Sequence, residues 1–352
     1  MAGSLGGRRG SREHFLTWTA SILCVVLTIA YHVAVHFRGA GIESIGLMGY
    51  RPVQDIWDGS YGALFTSVFV HGNPNSLLST VLHLGFNLLY LFVLSSLLEE
   101  TLSPVAWVMF FVGASVVSSG TEIALSSRAG VGVSGVVYAM FGLLWAGRNR
   151  YPEWRIVATK KNLIVMVGWG LFCVAATWLQ LLHIANAAHF GGLAFGLATG
   201  WLLVGRRPWL SVAVLAALLA LTVASVCWMP WSLPWVEWKA NHERALGRYA
   251  SAIRWYRVSL QRGASPEMAW SNILVTEHLR RNPQGEREAE AQLEKLGLAP
   301  PSAPFSYRLG FPLSTPGLGQ PQSSAEPTPF VWWPAPSAGA TSPGGPAPRS
   351  SR

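Results

Sequence analysis

The chain has 352 residues, 51% of them hydrophobic and only 12% charged, about half the charged share of a soluble globular domain. The formal net charge of +9 does not make it a nucleic-acid binder, because the bases fall mostly in short loops between apolar runs, where a positive-inside bias accounts for them. Cys24, Cys173 and Cys227 each sit in an apolar run; they offer neither a disulfide framework nor a zinc spacing and read as buried small hydrophobes.

Charges are absent between Glu13 and Arg38, between Lys161 and Arg206, and between Arg207 and Glu237. Windows of about 20 apolar residues cross the hydrocarbon core, so the chain reads as an all-α, polytopic membrane protein. In chain order, a basic segment at 1–14 precedes an apolar run too long for a cleaved signal peptide. Seven spans follow: Phe15–Phe37, Leu77–Leu98, Pro104–Leu125, Ser134–Ala146, Leu163–Leu182, Ala187–Val204 and Trp209–Trp228. The fourth is short and has to borrow length from its flanks. Loop charge sets the orientation. Arg8, Arg9 and Arg12, then Arg148, Arg150, Arg155, Lys160 and Lys161, then Arg206 and Arg207 fall on one side; the other side offers Arg38, Arg51 and Arg128. The N-terminus is therefore expected in the cytoplasm and the segment after the seventh span outside. A bacterial inner membrane suits the short basic N-terminus.

Between the first two spans, the stretch from Arg38 to Ser76 is long for a connection, and its apolar pieces place part of it in the membrane interface. After the seventh span, Trp228, Trp231, Trp235 and Trp238 read as an aromatic belt at the headgroups. The domain organisation is thus a core at 15–205, a seventh helix with its Trp-rich interface at 206–236, and a polar helical segment at 237–299. That last segment resembles one and a half tetratricopeptide helix pairs; a plain helical hairpin fits it as well. From residue 300 to 352, 13 of 53 residues are proline, a composition that builds no core.

Chemistry gathers where three spans begin on the same face of the membrane. Ser134 opens the fourth span in Gly132-Val133-Ser134-Gly135, and His189 opens the sixth ahead of Gly192, Gly196 and Gly200. His83 and Asn87 lie one turn apart on the second. The even-numbered spans run in the same direction, so these side chains meet at one level. A serine hydroxyl becomes a nucleophile when a base takes its proton, and His189 is the nearest candidate. Free N–H groups of a helix N-terminus, with His83 and Asn87, could stabilise an oxyanion. Tyr138, one turn below Ser134, can pack on the imidazole. No carboxylate stands in the right part of a span, which makes the pair a dyad. The glycines every four residues let helices touch backbone to backbone, and Gly135 and Gly142 remove bulk from the facing helix.

Bland readings exist for each residue alone. Ser134 reads as an N-cap, His189 as an interfacial histidine, and His83 with Asn87 as interhelical hydrogen-bond glue. Metal binding by His83, His183 and His189 lacks a carboxylate or cysteine partner. The Gly-x-Ser-x-Gly of soluble hydrolases is excluded by Val136. Jointly the bland readings need four coincidences at one depth. A transporter would call for broken helices or charge at mid-membrane, and Glu122 is the one candidate.

With its Gly-x-Ser-Gly at Ser134, its His-x-x-Gly-x-x-x-Gly at His189, Gly192 and Gly196, its His-x-x-x-Asn at His83 and Asn87, and a glutamate ending that helix at Glu99, the chain resembles the rhomboid intramembrane serine proteases across Phe15 to Val204. The resemblance implies a six-helix core with an extra seventh helix and a water-filled active-site cavity open to the outer face. It implies a Ser134–His189 dyad, oxyanion or substrate contacts from His83, Asn87, Gly132 and Tyr138, and no cofactor or metal. The substrates would be single-span membrane proteins, met within the lipid bilayer, with the helical tail recruiting a protein partner. The alternative is a catalytically silent rhomboid-fold chaperone or adaptor that binds transmembrane segments. In the first loop, Tyr61-Gly62-Ala63-Leu64-Phe65-Thr66-Ser67 keeps the aromatic of the family's aromatic-Arg pair and lacks the arginine, and Gly72 to Leu78 looks like an insertion.

Overall fold

A computed structural model describes residues 14–38, 49–72, 76–182 and 184–298. The basic residues Arg8, Arg9 and Arg12, the candidate ligand His183, residues 73–75 of the apparent insertion and the proline-rich 300–352 lie outside them. The described residues are all-helical. The seven spans are α1 (Phe15–Arg38), α2 (Leu77–Thr101), α3 (Pro104–Ser126), α4 (Ser134–Gly147), α5 (Lys160–Trp178), α6 (Asn186–Leu203) and α7 (Pro208–Cys227).

Five of these, α1, α2, α3, α5 and α7, are long and apolar enough to cross a membrane. The sequence led us to expect the same of α4 and α6, the helices that carry Ser134 and His189, and they are the two that fall short. The reason is position. α4 has only 14 residues and is buried from Gly135 through Leu144, the pattern of a helix enclosed on all sides by protein. α6 is diluted by Asn186, His189 and its glycines. The other spans carry the lipid-facing load: Ile22, Val26 and Ile29 on α1, Leu82, Phe86 and Leu89 on α2, and Ile164, Leu171 and Phe172 on α5 are all at least half exposed. α5 is also shifted toward its N-terminus. Thr159 caps it by accepting from the Asn162 N–H at 3.1 Å, and it ends at Trp178 ahead of a left-handed Gln180.

Two carboxylates close helix ends inside the bundle. Glu99, in the last turn of α2, accepts from the Leu16 and Thr17 N–H groups at 2.9 Å each and from the Thr17 hydroxyl at 2.8 Å. That satisfies orphan donors at the start of α1 and places a negative charge at the positive end of its dipole. It also gives the glutamate of the sequence motif a structural task at the end of the bundle away from Ser134.

The first loop folds into short helical turns at Val53–Trp57 and Ala63–Thr66 and a 3-10 turn at Ser67–Phe69. Val53, Ile56, Trp57, Ala63 and Leu64 are buried with Ile123 of α3 and with Met229, Trp235 and Val236. The Trp57 indole donates to the Ser225 carbonyl of α7 at 2.9 Å. This corrects the reading of the four tryptophans as one headgroup belt. Trp228 and Trp231 are exposed (60% and 46%), whereas Trp235 is 2% exposed and Trp238 packs tilted against Trp57 at 5.6 Å between centroids. The loop supplies apolar cover, and two tryptophans go to it. Cys227 is likewise exposed, while Cys24 and Cys173 are buried; it is the last residue of α7, whose buried positions are Ser211, Thr222 and Ser225.

The polar segment is four helices: α8 (Leu233–Ala245), α9 (Tyr249–Gln261), α10 (Pro266–Leu279) and α11 (Pro283–Lys295). Ala240, Ala252, Ile253, Tyr256, Ile273 and Ala289 make their common core. Asp58 of the first loop ties α8 down, accepting from the Trp238 indole at 3.0 Å and pairing with His242 at 3.2 Å.

Candidate active site

α4 and α6 pack with their backbones in contact, and glycine makes this possible. A Cβ on Gly192 would land on the Gly135 carbonyl oxygen, one on Gly196 on the Ala139 carbonyl oxygen, and one on Gly200 at 2.9 Å from the Leu143 carbonyl oxygen. Three glycines a turn apart thus meet three carbonyls a turn apart. In return, a Cβ on Gly142 would stand 2.7 Å from the Leu193 carbonyl oxygen. No helix bearing side chains at these positions could come so close.

That approach brings the two candidate reactive groups together. His189 Nε2 lies 2.8 Å from Ser134 Oγ. His189 is 4% exposed, and its ring lies flat on Tyr138, with centroids 4.7 Å apart and planes at 13°. Tyr138 is held in turn by its hydroxyl, which donates to the Met166 carbonyl of α5 at 2.9 Å. With Nε2 accepting from the serine, the proton of the neutral imidazole sits on Nδ1. That atom is buried and has no hydrogen-bond partner among the described residues. The pair has an aromatic backing and no acid hydrogen-bonded to the imidazole among the described residues.

Glu122 explains how α6 is held. Its carboxylate accepts from the Ala188 N–H at 3.0 Å, one residue before His189. The same device that Glu99 provides for α1 fixes the start of the helix that carries the histidine. Read in the sequence, Glu122 was a candidate transporter charge; in the structure it is a cap. Glu122→Ala is expected to cost about 1 kcal/mol or more, because it strands a part-buried N–H. Glu122→Gln, whose amide oxygen can still accept, should retain most of that stability. Unfolding midpoints in detergent would show this, and an alanine variant as stable as the native chain would refute it.

The other predicted residues stand around Gly132. Its φ of 102° is a conformation that L side chains rarely adopt, and a Cβ there would meet the His83 ring at 2.9 Å. His83 Nδ1 accepts from the Gly72 N–H at 3.2 Å, so its Nε2 carries the proton and is a donor. Asn87 is buried and spends one amide hydrogen on the His83 carbonyl of its own helix at 2.9 Å, leaving the second. The structure therefore joins Ser134, His189 and Tyr138 in direct contact and sets His83 against Gly132. Asn87 is tied to His83.

One residue of the site escaped sequence reasoning. His71, fully buried in the first loop, accepts from the Val133 N–H through Nε2 at 3.1 Å, and its Nδ1 lies 3.2 Å from the Phe69 carbonyl. Its backbone N–H donates to Thr28 Oγ1 of α1 at 3.0 Å, and its ring lies edge-on to His83 at 5.2 Å. Burial, and then the neighbouring His83, push His71 down to about 3, which keeps it neutral and able to accept. It ties α1, the first loop and the turn before Ser134 into one unit. No motif marks it, and its partner is 62 residues away.

No cluster of three or more His, Cys, Asp or Glu arranged to hold a metal ion occurs among the described residues. The family model for the Rhomboid domain matches residues 54–206, from the first loop through the end of α6. The chain thus carries a domain of the rhomboid family. As a rhomboid it is an integral, multi-pass, all-helical membrane protein, and membership carries either an intramembrane protease or an inactive relative of one.

Proposed function

We propose that this rhomboid is an active intramembrane serine endopeptidase that cleaves transmembrane helices of other membrane proteins near the outer membrane face. The observation that carries the reading is the 2.8 Å contact between Ser134 Oγ and His189 Nε2, kept at the junction of two closely packed membrane helices where an unused polar pair is costly. Ser134 Oγ attacks the scissile carbonyl carbon as its proton passes to His189 Nε2. The Ser134 backbone N–H, His83 Nε2 and the second Asn87 amide hydrogen stabilise the oxyanion. The imidazolium then protonates the leaving amine, and a water, deprotonated by the same nitrogen, releases the acyl group. Stacking on Tyr138 keeps the ring in plane through both transfers.

A helical substrate amide is shielded by its own hydrogen bonds, so the substrate has to unwind locally, and Gly or Pro near the cut should favour cleavage. The bases at the far ends of α4 and α6 favour a cytoplasmic N-terminus and an outside tail; the membrane we propose is a bacterial inner one. The tail, braced against the first loop through Asp58, is the proposed docking point for a protein partner.

The test is cleavage of tagged single-span substrates by the purified chain in proteoliposomes. The native chain is expected to yield two fragments whose termini map to the outer third of the span. Binding of such substrates without any cut would favour the silent adaptor instead.

A further inference from the structure

At the end of the bundle away from Ser134, Trp145, Arg148, Trp201, Arg206 and Arg207 wall a cavity of about 130 Å³ between α4 and α6. One of its positive groups is held by side-chain contacts, and the other two follow a defined backbone turn. The Arg148 guanidinium carbon sits 3.3 Å over the Trp145 ring, and its Nη1 donates to the Ala158 carbonyl at 3.2 Å. Arg206 and Arg207 follow a glycine-closed helix end: the Gly205 N–H donates to Leu202 O at 3.1 Å, and the Arg206 N–H to Trp201 O at 2.8 Å. This double closure needs the left-handed φ of 67° at Gly205. None of the three arginines forms an ion pair among the described residues, and no carboxylate lines the cavity.

We propose that this cavity is a binding site for the phosphate of an anionic phospholipid. Guanidinium forks match phosphate oxygens geometrically, and basic pockets between transmembrane helices are where acidic headgroups bind. A lipid is favoured over free phosphate by the exposed apolar residues that flank Arg206 and Arg207 in the chain. Leu202 and Leu203 at the end of α6 and Trp209 at the start of α7 are 42%, 43% and 74% exposed, an apolar flank that an acyl chain can cover and an inorganic ion cannot. A zwitterionic headgroup brings its own cation against three arginines, so a net-negative one is preferred. The site is independent of the reading of Ser134 and His189.

Native mass spectrometry of the full chain in detergent tests it, with dioleoylphosphatidylglycerol, dioleoylphosphatidylcholine or inorganic phosphate added separately. The native chain should retain phosphatidylglycerol at least about tenfold better than Arg206→Gln/Arg207→Gln, and better than it retains phosphatidylcholine. A control, Arg150→Gln/Lys161→Gln, removes the same charge from exposed positions outside the cavity and should bind as the native chain does. Arg206→Lys/Arg207→Lys, which keeps charge while losing the fork, should fall between. Equal loss in the glutamine pair and the control would overturn the proposal. So would equal retention of the two lipids, or adducts with inorganic phosphate alone.

Discussion

Ser134→Ala, His189→Ala and the double variant are expected to lose cleavage to the same level, on the order of 10⁴-fold below the native chain. The geometry requires this equality. At 2.8 Å the hydroxyl and the imidazole form one proton-transfer unit, and removing either member leaves the other with nothing to do. His189 Nδ1 has no partner among the described residues, so no third group is positioned to rescue a damaged pair. Single-turnover rates in proteoliposomes give the comparison. A double variant slower than either single, by the product of their losses, would mean that the two residues act separately.

Gly196→Ala is expected to cost about 1–3 kcal/mol or more in stability and on the order of 10²-fold in rate, although the residue touches no reacting atom. Its new Cβ would meet the Ala139 carbonyl oxygen, which is backbone and cannot swing aside. α6 would have to draw back from α4, taking His189 away from Ser134 and Tyr138. Gly168→Ala on α5 is the matched control. Nothing lies within 4 Å of the added methyl, so stability and rate should be unchanged or slightly improved. Unfolding midpoints and cleavage rates measured together separate the two cases, and similar behaviour of both variants would contradict the close-packing account.

The contact between Ser134 and His189 could be read from the chain because each member sits in a local pattern. The glycine spacing of 192, 196 and 200 advertises a close helix approach, and Ser134 and His189 stand at the start of the two helices that spacing joins. Tyr138 followed from being one turn below Ser134. What stayed hidden depends on contacts between distant segments. Glu122 acts on Ala188, 66 residues away, and in a membrane span an isolated acid reads more naturally as a transport or proton-carrying group. His71 lies in a loop with no periodicity to place it. Trp235 belongs to a run of tryptophans that composition assigns to the headgroups, and only the folded first loop shows why it is buried. The same limit explains α4 and α6: apolar character marks both as membrane helices, but enclosure by the other spans is what lets them be short or polar.

The most direct test of the central claim is labelling by a fluorophosphonate probe, which reacts with a serine made nucleophilic by its surroundings. The purified native chain should carry one adduct, mapped by peptide mass spectrometry to Ser134, and both Ser134→Ala and His189→Ala should carry none. An adduct on another serine, or labelling of Ser134 at the native rate in His189→Ala, would contradict the account.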